Sequence, residues 1–472
     1  RQPEPDALSR DPPLQKAEFA RDQRAAQGVW YDYQGQGGGI RSFSRTHYRN
    51  GKPMSTIKKI KGFNDLFPPV SAIYSRMEQT AREVFSRYGY YEIRVPLLEK
   101  TELFARSIGD ETDVVEKEMY TFPDRKGRSL TLRPEATASV VRAYIENKRY
   151  ASESVSRMFT FGPMFRYERP QKGRQRQFHQ VNCELLGAEA PQSDAELILM
   201  LWEYLQALGL DGLHLDLNSL GCRDCRPAYH ETLGSYLAGV DADELCDDCR
   251  RRKTTNPLRV LDCKVEGCRS VMQQAPRLAD HLCSGCQSHF ASVRTILDRA
   301  GIPYTINPRL VRGLDYYQRT TFEVVAENIG AQTAVAGGGR YDGLVSDLGG
   351  PALPGTGFAC GMERLALLLQ EQEQPGTPVD FFLAVLDDEA RDEAILQAQQ
   401  LRKQGLAGEV GYEAKSPKSH LRHANKAGAA YCLLLGGQEL QEKAFVVKNM
   451  QSGAQETVSW EETGRALRQQ RV

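Results

Sequence analysis

This sequence has no net charge: its 61 Lys and Arg residues are matched by 61 Asp and Glu. A global field that gathers nucleic acid is therefore absent, and any basic contact surface has to be a local patch. It has no apolar run near the roughly 18 residues that a membrane-crossing helix needs. Its first residues lack the apolar core of a secretory signal. It has no internal repeat. Its 11 cysteines cannot all pair with one another. In a chain of this length without a signal, that points to reduced thiols and a cytoplasmic location.

What is present suggests roughly two to four domains for 472 residues. The 40% hydrophobic content suffices for one large core and a smaller one. Residues 1–53 stand apart. They carry Pro3, Pro5, Pro12, Pro13, the run Gly37-Gly38-Gly39 and many charges, with no lasting apolar period. Such composition predicts a disordered extension. Patterned sequence opens at Met54, the expected natural start. The opposing reading is an appended targeting or binding arm, although the stretch is acidic as well as arginine-rich.

From there the periodicity is informative. Ile73, Met77, Ala81, Val84, Phe85 and Tyr88 form one apolar stripe over 71–88, ended by Gly89. A strand over 90–98 is interrupted by Pro96, which cannot donate to a ladder. Further strands are predicted at 129–132, 157–165, 178–187, 212–219, 320–326, 333–337 and 354–360, then a helix over 362–371. Strands this close, without helical crossovers, argue for an antiparallel sheet. Residues 371–378 read as a polar linker with two prolines. Beyond it the rhythm becomes strand–helix alternation: strand 381–386, helix 388–404, strand 408–412, helix 417–428, strand 431–435 and a strand pair in 443–459. That is a separate α/β domain over 379–472.

The densest chemistry lies in residues 162–180, an apolar strand, a polar loop and a return strand. Arg166 closes the first strand and Arg174 lies across the loop. Two guanidiniums on facing strands can clamp a triphosphate. Phe178 offers a ring on which a purine can stack. Gln180 and Glu184 are an even number apart and leave the same face of the return strand. Downstream, the glycine-rich strand of 355–361 lets a flat ligand approach the backbone. Arg364 falls in the first turn of the following helix, where its charge adds to the positive end of the dipole. The glycines at 355, 357 and 361 are spaced one residue too far apart for a dinucleotide fingerprint.

Residues 162–180 resemble motif 2 of the class II aminoacyl-tRNA synthetases, in its histidyl form. Residues 71–96 resemble motif 1, which builds the dimer interface of that family, and 355–369 resemble motif 3. The stretches Val311-Arg312-Gly313-Leu314-Asp315-Tyr316-Tyr317 and Ala336-Gly337-Gly338-Gly339-Arg340-Tyr341-Asp342 resemble the two signatures of the histidyl members. The resemblance runs from about residue 57 to the C-terminus. It implies an α+β fold: a class II catalytic domain over 54–370 with an antiparallel sheet flanked by helices, a small insertion at about 221–300, and a C-terminal α/β anticodon-binding domain.

The resemblance also implies a reaction. The carboxylate of histidine attacks the α-phosphorus of ATP, and the terminal ribose of tRNA(His) then takes the histidyl group, with AMP and diphosphate released. No protein base is needed, because the carboxylate is already ionised; positioning and charge carry the step. Arg166 and Arg312 are the implied catalytic groups. Arg166 binds the α-phosphate and the amino-acid carboxylate, and Arg312 neutralises the α-phosphate. Arg174 and Arg364 hold the outer phosphates, with Mg2+ accompanying the nucleotide, and Phe178 belongs to the ATP site. The histidine pocket is assigned to Glu135, Ala136, Thr137, Arg166, Gln180, Glu184, Arg312, Tyr316, Tyr317 and Tyr341. A homodimer with no membrane association is implied. Such a pocket pairs both imidazole nitrogens and so rejects apolar mimics.

Two regions remain. Lys415, Lys418, Arg422 and Lys426, with His420 and His423, form a basic run suited to tRNA phosphates; a plain solvated helix face is the alternative. Eight cysteines, at 222, 225, 246, 249, 263, 268, 283 and 286, include three CxxC pairs with zinc-knuckle spacing. Structural zinc and reduced, partly buried thiols are both open, with the thiols favoured because the family's insertion is not generally metal-bound. Two other functions compete: a non-catalytic regulatory paralogue that binds histidine, and a synthetase-like nucleic-acid-binding accessory or sensor protein. Paralogues of the first kind lose the motif arginines and the anticodon domain, whereas Arg166, Arg312, Arg364 and residues 379–472 are all here.

Overall fold

The computed structural model describes residues 56–109, 112–326, 334–370 and 379–469. The expected extension over 1–53 and the linker over 371–378 lie outside the described residues.

An eight-stranded sheet organises the first part. Its strands run, edge to edge, Tyr91–Glu92, Ser156–Phe165, Gln177–Leu186, Gly355–Gly361, Ala334–Arg340, Gln318–Ala326, Leu213–Ser219 and Tyr304–Ile306. All interior pairings are antiparallel, and only the two edge strands join in parallel. The sheet has one greasy face and one working face because side chains alternate along each strand. Along Gln177–Leu186, Val181, Cys183 and Leu185 enter the main core. Gln180, Asn182 and Glu184 take the other side.

Helices cover the greasy face. Val70–Arg87 buries Ile73, Tyr74, Met77, Ala81, Val84 and Phe85, nearly the expected stripe; Tyr88 is only half-buried and Tyr74 takes a place in the core. Phe85 lies 5.4 Å from Phe159 and 5.9 Å from Phe358 of the sheet, and 5.2 Å from Tyr204 of helix Pro191–Ala207. These rings lock two helices to two strands at offset and edge geometries that aromatic pairs favour.

Two expectations need adjusting. The strand expected over 90–98 is broken at Pro96 into Tyr91–Glu92 and Leu98–Lys100, since proline has no N–H for either ladder. The strand Ser129–Leu132 belongs to a separate three-stranded sheet with Leu98–Lys100 and Tyr120–Pro123.

The insertion is helical: Arg226–Ala238, Asp247–Thr255, Leu258–Leu261, Glu266–Met272 and the start of Ser284–Arg299. Residues 379–469 hold a five-stranded sheet ordered Gly408–Gly411, Phe381–Val385, Tyr431–Leu435, Ala444–Asn449, Gln455–Ser459. The first three strands are parallel, with helices Arg391–Lys403 and Pro417–Lys426 as crossovers, and the last two return antiparallel. Among the described residues no helix is long and apolar enough to cross a membrane.

Candidate active site

The working face of the large sheet gathers side chains from four distant segments. Glu184 is its centre. It is fully buried, and its carboxyl group accepts from the Thr137 hydroxyl at 2.7 Å and from the Tyr341 hydroxyl. Burial pushes its pKa up to about 8, against the pull of those two donors. Gly357, directly across from Glu184 in the ladder, makes room for it: a Cβ there would sit 2.0 Å from Glu184 Oε2. A glycine-rich strand is thus a condition for a buried acid on its neighbour.

Glu135 is buried beside it. Its two oxygens accept the backbone N–H groups of Thr137 at 2.7 Å and Ala138 at 2.8 Å, at the start of helix Thr137–Glu146. The carboxylate therefore caps the positive end of that helix, and Ala136 is its buried N-cap residue. Tyr316, Tyr317 and Tyr341 wall the pocket. Their ring centroids are 4.6 Å apart for Tyr316–Tyr317 and 5.6 Å for Tyr316–Tyr341. All three share a buried cluster with Val140, Val141 and Tyr144 of the covering helix. Gln180 leaves the same face as Glu184, and its buried Oε1 has no hydrogen-bond partner. Asn182, between them, likewise presents an unpaired buried Oδ1. Buried polar atoms left this way are costly unless a ligand or water meets them. Asn182 was not singled out from the sequence, although its even spacing from Gln180 and Glu184 places it on their face.

Arginines border this pocket. Arg166 donates from Nε to the Pro134 carbonyl at 2.9 Å and lies 5.3 Å from the Phe178 ring centroid. Arg174 pairs with Glu168 at 2.6 Å, and Arg166 reaches the same carboxylate at 4.0 Å. Arg364, in the first turn of helix Met362–Gln370, donates to the Ala334 carbonyl, and its stem lies 3.3 Å from where a Cβ on Gly173 would be. Burial and the nearby charge of Arg174 hold its pKa below the usual guanidinium value. Three like charges this close call for an anion, and Glu168 supplies part of one. Arg312 pairs with Glu323 at 2.6 Å and lies flat on the backbone of Gly337, where a Cβ would come within 2.5 Å of its guanidinium. Its buried Nε has no hydrogen-bond partner. Glu168 and Glu323 are the acids that sequence reasoning missed; each resembles an ordinary surface residue until its arginine is in place.

Elsewhere the picture is mixed. Lys418, Arg422 and Lys426 are exposed, four apart along helix Pro417–Lys426, and Lys415 pairs with Glu413 at 2.7 Å. His420 does not join them. It is buried against Phe382, with Nε2 2.8 Å from the Val385 carbonyl, so it anchors the helix to the sheet. The eight insertion cysteines come together as two groups of four, 222/225/283/286 and 246/249/263/268.

The chain is similar to known proteins over most of its length. A family model described as "Histidyl-tRNA synthetase" matches residues 62–365, and one described as "Anticodon binding domain" matches residues 380–470. The chain is 62% identical over 405 residues to a protein of Nitratidesulfovibrio vulgaris named histidine–tRNA ligase, covering 86% of this chain and 97% of that one. A Geobacter sulfurreducens protein of the same name is 54% identical over 399 residues, covering 84% and 96%. The apo histidyl-tRNA synthetase of S. aureus superposes with a TM-score of 0.73 at 37% identity, over 87% of this chain and all of that one. With more than half of its length matched by the family model, the chain belongs to the histidyl-tRNA synthetase family.

Proposed function

We propose that this chain activates L-histidine with ATP as an enzyme-bound adenylate and transfers the histidyl group to tRNA(His), in the pocket around Glu184. The observation that carries this reading is the convergence of Glu184, Thr137, Tyr341 and the unpaired Gln180 carbonyl beside Arg166 and Arg312. The pocket matches the amino acid: acids and amide carbonyls suit an ammonium and an imidazole N–H, and the tyrosines give the ring a flat wall. Arg166 and Arg312 meet the charge that gathers on the α-phosphate as the carboxylate attacks, and Phe178 offers the purine a stacking face. Arg174 and Arg364 take the outer phosphates, with Glu168 released from Arg174 as the nucleotide enters. The nucleotide enters as its magnesium complex. No side chain has to remove a proton in this step.

Residues 54–370, with an insertion at about 221–300, form the catalytic domain in this reading. Residues 371–378 link it to an anticodon-binding domain over 379–472, where Lys415, Lys418, Arg422 and Lys426 meet tRNA phosphates. The enzyme works in the cytoplasm as a homodimer joined through the segment 71–96, next to which Leu97 and Leu98 are exposed; light scattering at micromolar protein tests the dimer. Histidine-dependent exchange of pyrophosphate into ATP tests the activity. Folded protein that shows no exchange would leave only the regulatory or accessory readings.

A further inference from the structure

The insertion has a small core in which thiols take a large share. Its core has 13 buried members, and four of them are Cys225, Cys249, Cys268 and Cys286. Helix Asp247–Thr255 buries only Cys249, and helix Glu266–Met272 only Cys268 and Met272. A helix whose sole buried side chain is a thiol has no greasy face with which to dock. Small modules of this kind usually depend on a cross-link or a metal.

The thiols supply the geometry for one. In each group of four, every sulfur lies within 4.8 Å of the other three. Cys222 and Cys225 are 3.5 Å apart and Cys246 and Cys263 are 3.8 Å apart. The sulfurs of a tetrahedral zinc site, with bonds of about 2.3 Å, are separated by about 3.8 Å. Donors already point at the sulfurs: the Cys283 N–H reaches Cys225 Sγ at 3.1 Å, and the Cys246 N–H reaches Cys268 Sγ at 3.2 Å. Cys246 and Cys283 are N-cap residues of helices, and Cys249 and Cys286 lie in those helices' first turns, so each of these CxxC pairs is held in place by one helix start.

We propose that the insertion binds two structural zinc ions, one through Cys222, Cys225, Cys283 and Cys286 and one through Cys246, Cys249, Cys263 and Cys268. Four soft sulfur donors around a closed point suit zinc, and the thiol protons leave to solvent as the metal binds. The sites brace the insertion against the proposed active site. The second site fixes the helix that leads into Asn256, which donates to Asp315 at 3.1 Å. The first fixes Arg226, which donates to the Tyr317 carbonyl, and helix Ser284–Arg299, whose His289 meets Asp194 at 2.7 Å.

The test is metal and thiol counting on the full-length protein, purified without added zinc or chelator. Mass spectrometry of the metal content should find two zinc ions per chain, and a mercurial reagent should release both while titrating the cysteines. Cys249→Ser and Cys286→Ser should each leave one zinc, and Cys432→Ser, in the other sheet, should keep two. Zinc-free protein with freely reactive thiols overturns the proposal, as do disulfides within the groups or iron with its visible absorption. A single zinc in the wild type removes one of the sites. Should the serine variants fail to fold, the wild-type count still decides. This count does not read aminoacylation, so its failure is separate from failure of the proposed activity.

Discussion

The large sheet and the small insertion solve the problem of precise placement in opposite ways. On the sheet, position comes from register. Gly357 stands opposite Glu184, and Gln180, Asn182 and Glu184 share a face because the strand repeats every two residues. Behind that face lies a continuous core of aliphatic and aromatic side chains from six strands and four helices. The insertion has no ladder and a smaller core, in which four of the 13 buried members are cysteines. Abundant burial can support buried acids and arginines, which are expensive. Scarce burial leaves positioning to a few strong links.

The two regions meet at several contacts, one of them a buried cluster, and the expected effects of substitutions can be ranked around it. The largest concerns the sheet side alone. Arg312→Ala removes the charge set against Gly337 and is expected to lower histidine-dependent pyrophosphate exchange by about 100- to 1,000-fold, with light scattering showing the oligomeric state unchanged. Full activity in that variant would take Arg312 out of the reaction.

Next is the junction. Asp194 pairs with the fully buried Arg340 at 2.7 Å and with His289 of the helix that leaves the insertion. Burial works against its charge, yet His289 and Arg340 hold its pKa below the ordinary carboxylate range. Asp194→Asn leaves Arg340 with Asp342 as its remaining acid and should cost about 3 kcal/mol in urea unfolding. An unchanged midpoint would mean that sheet and insertion are not joined there.

A pH effect comes third. The carboxyl group of Glu184, with its pKa raised to about 8, is protonated in the folded chain where an unfolded chain has already ionised. Between about pH 4.5 and 8 the folded state therefore binds the extra proton, and stability falls as pH rises through that window. Glu184→Gln, which cannot ionise, should melt several degrees above the wild type at pH 8.5 relative to the gap at pH 5. A gap that does not vary with pH would contradict the raised value. The smallest effect belongs to the other domain: reversing Lys418, Arg422 and Lys426 together should raise the KM for tRNA by about 3- to 10-fold, more at low salt than at high, with pyrophosphate exchange unaltered.

Sequence periodicity carried most of the strand pattern, because a sheet buried on one face forces alternation and a paired glycine strand forces its neighbours close. Strands at 157–165, 178–187 and 431–435 match the observed elements to within a residue. Helix Thr137–Glu146 was less visible. It is buried on nearly every side, so no amphipathic stripe marks it. Within the site, Glu323 and Glu168 were invisible because their meaning lies in an arginine from another segment. The cysteine grouping could not be read from spacing either. The first CxxC joins the last and encloses the middle four, a nesting that only the chain's return along helix Ser284–Arg299 brings about.

The most direct test of the central claim, that the sheet face around Glu184 selects and activates histidine, is pyrophosphate exchange measured with each of the 20 amino acids in turn. Exchange is expected with histidine alone, and its KM for histidine should rise steeply in Thr137→Ala, which takes away one of the two donors to Glu184. Exchange driven by another amino acid, or a KM unmoved by loss of the Thr137 hydroxyl, would contradict it.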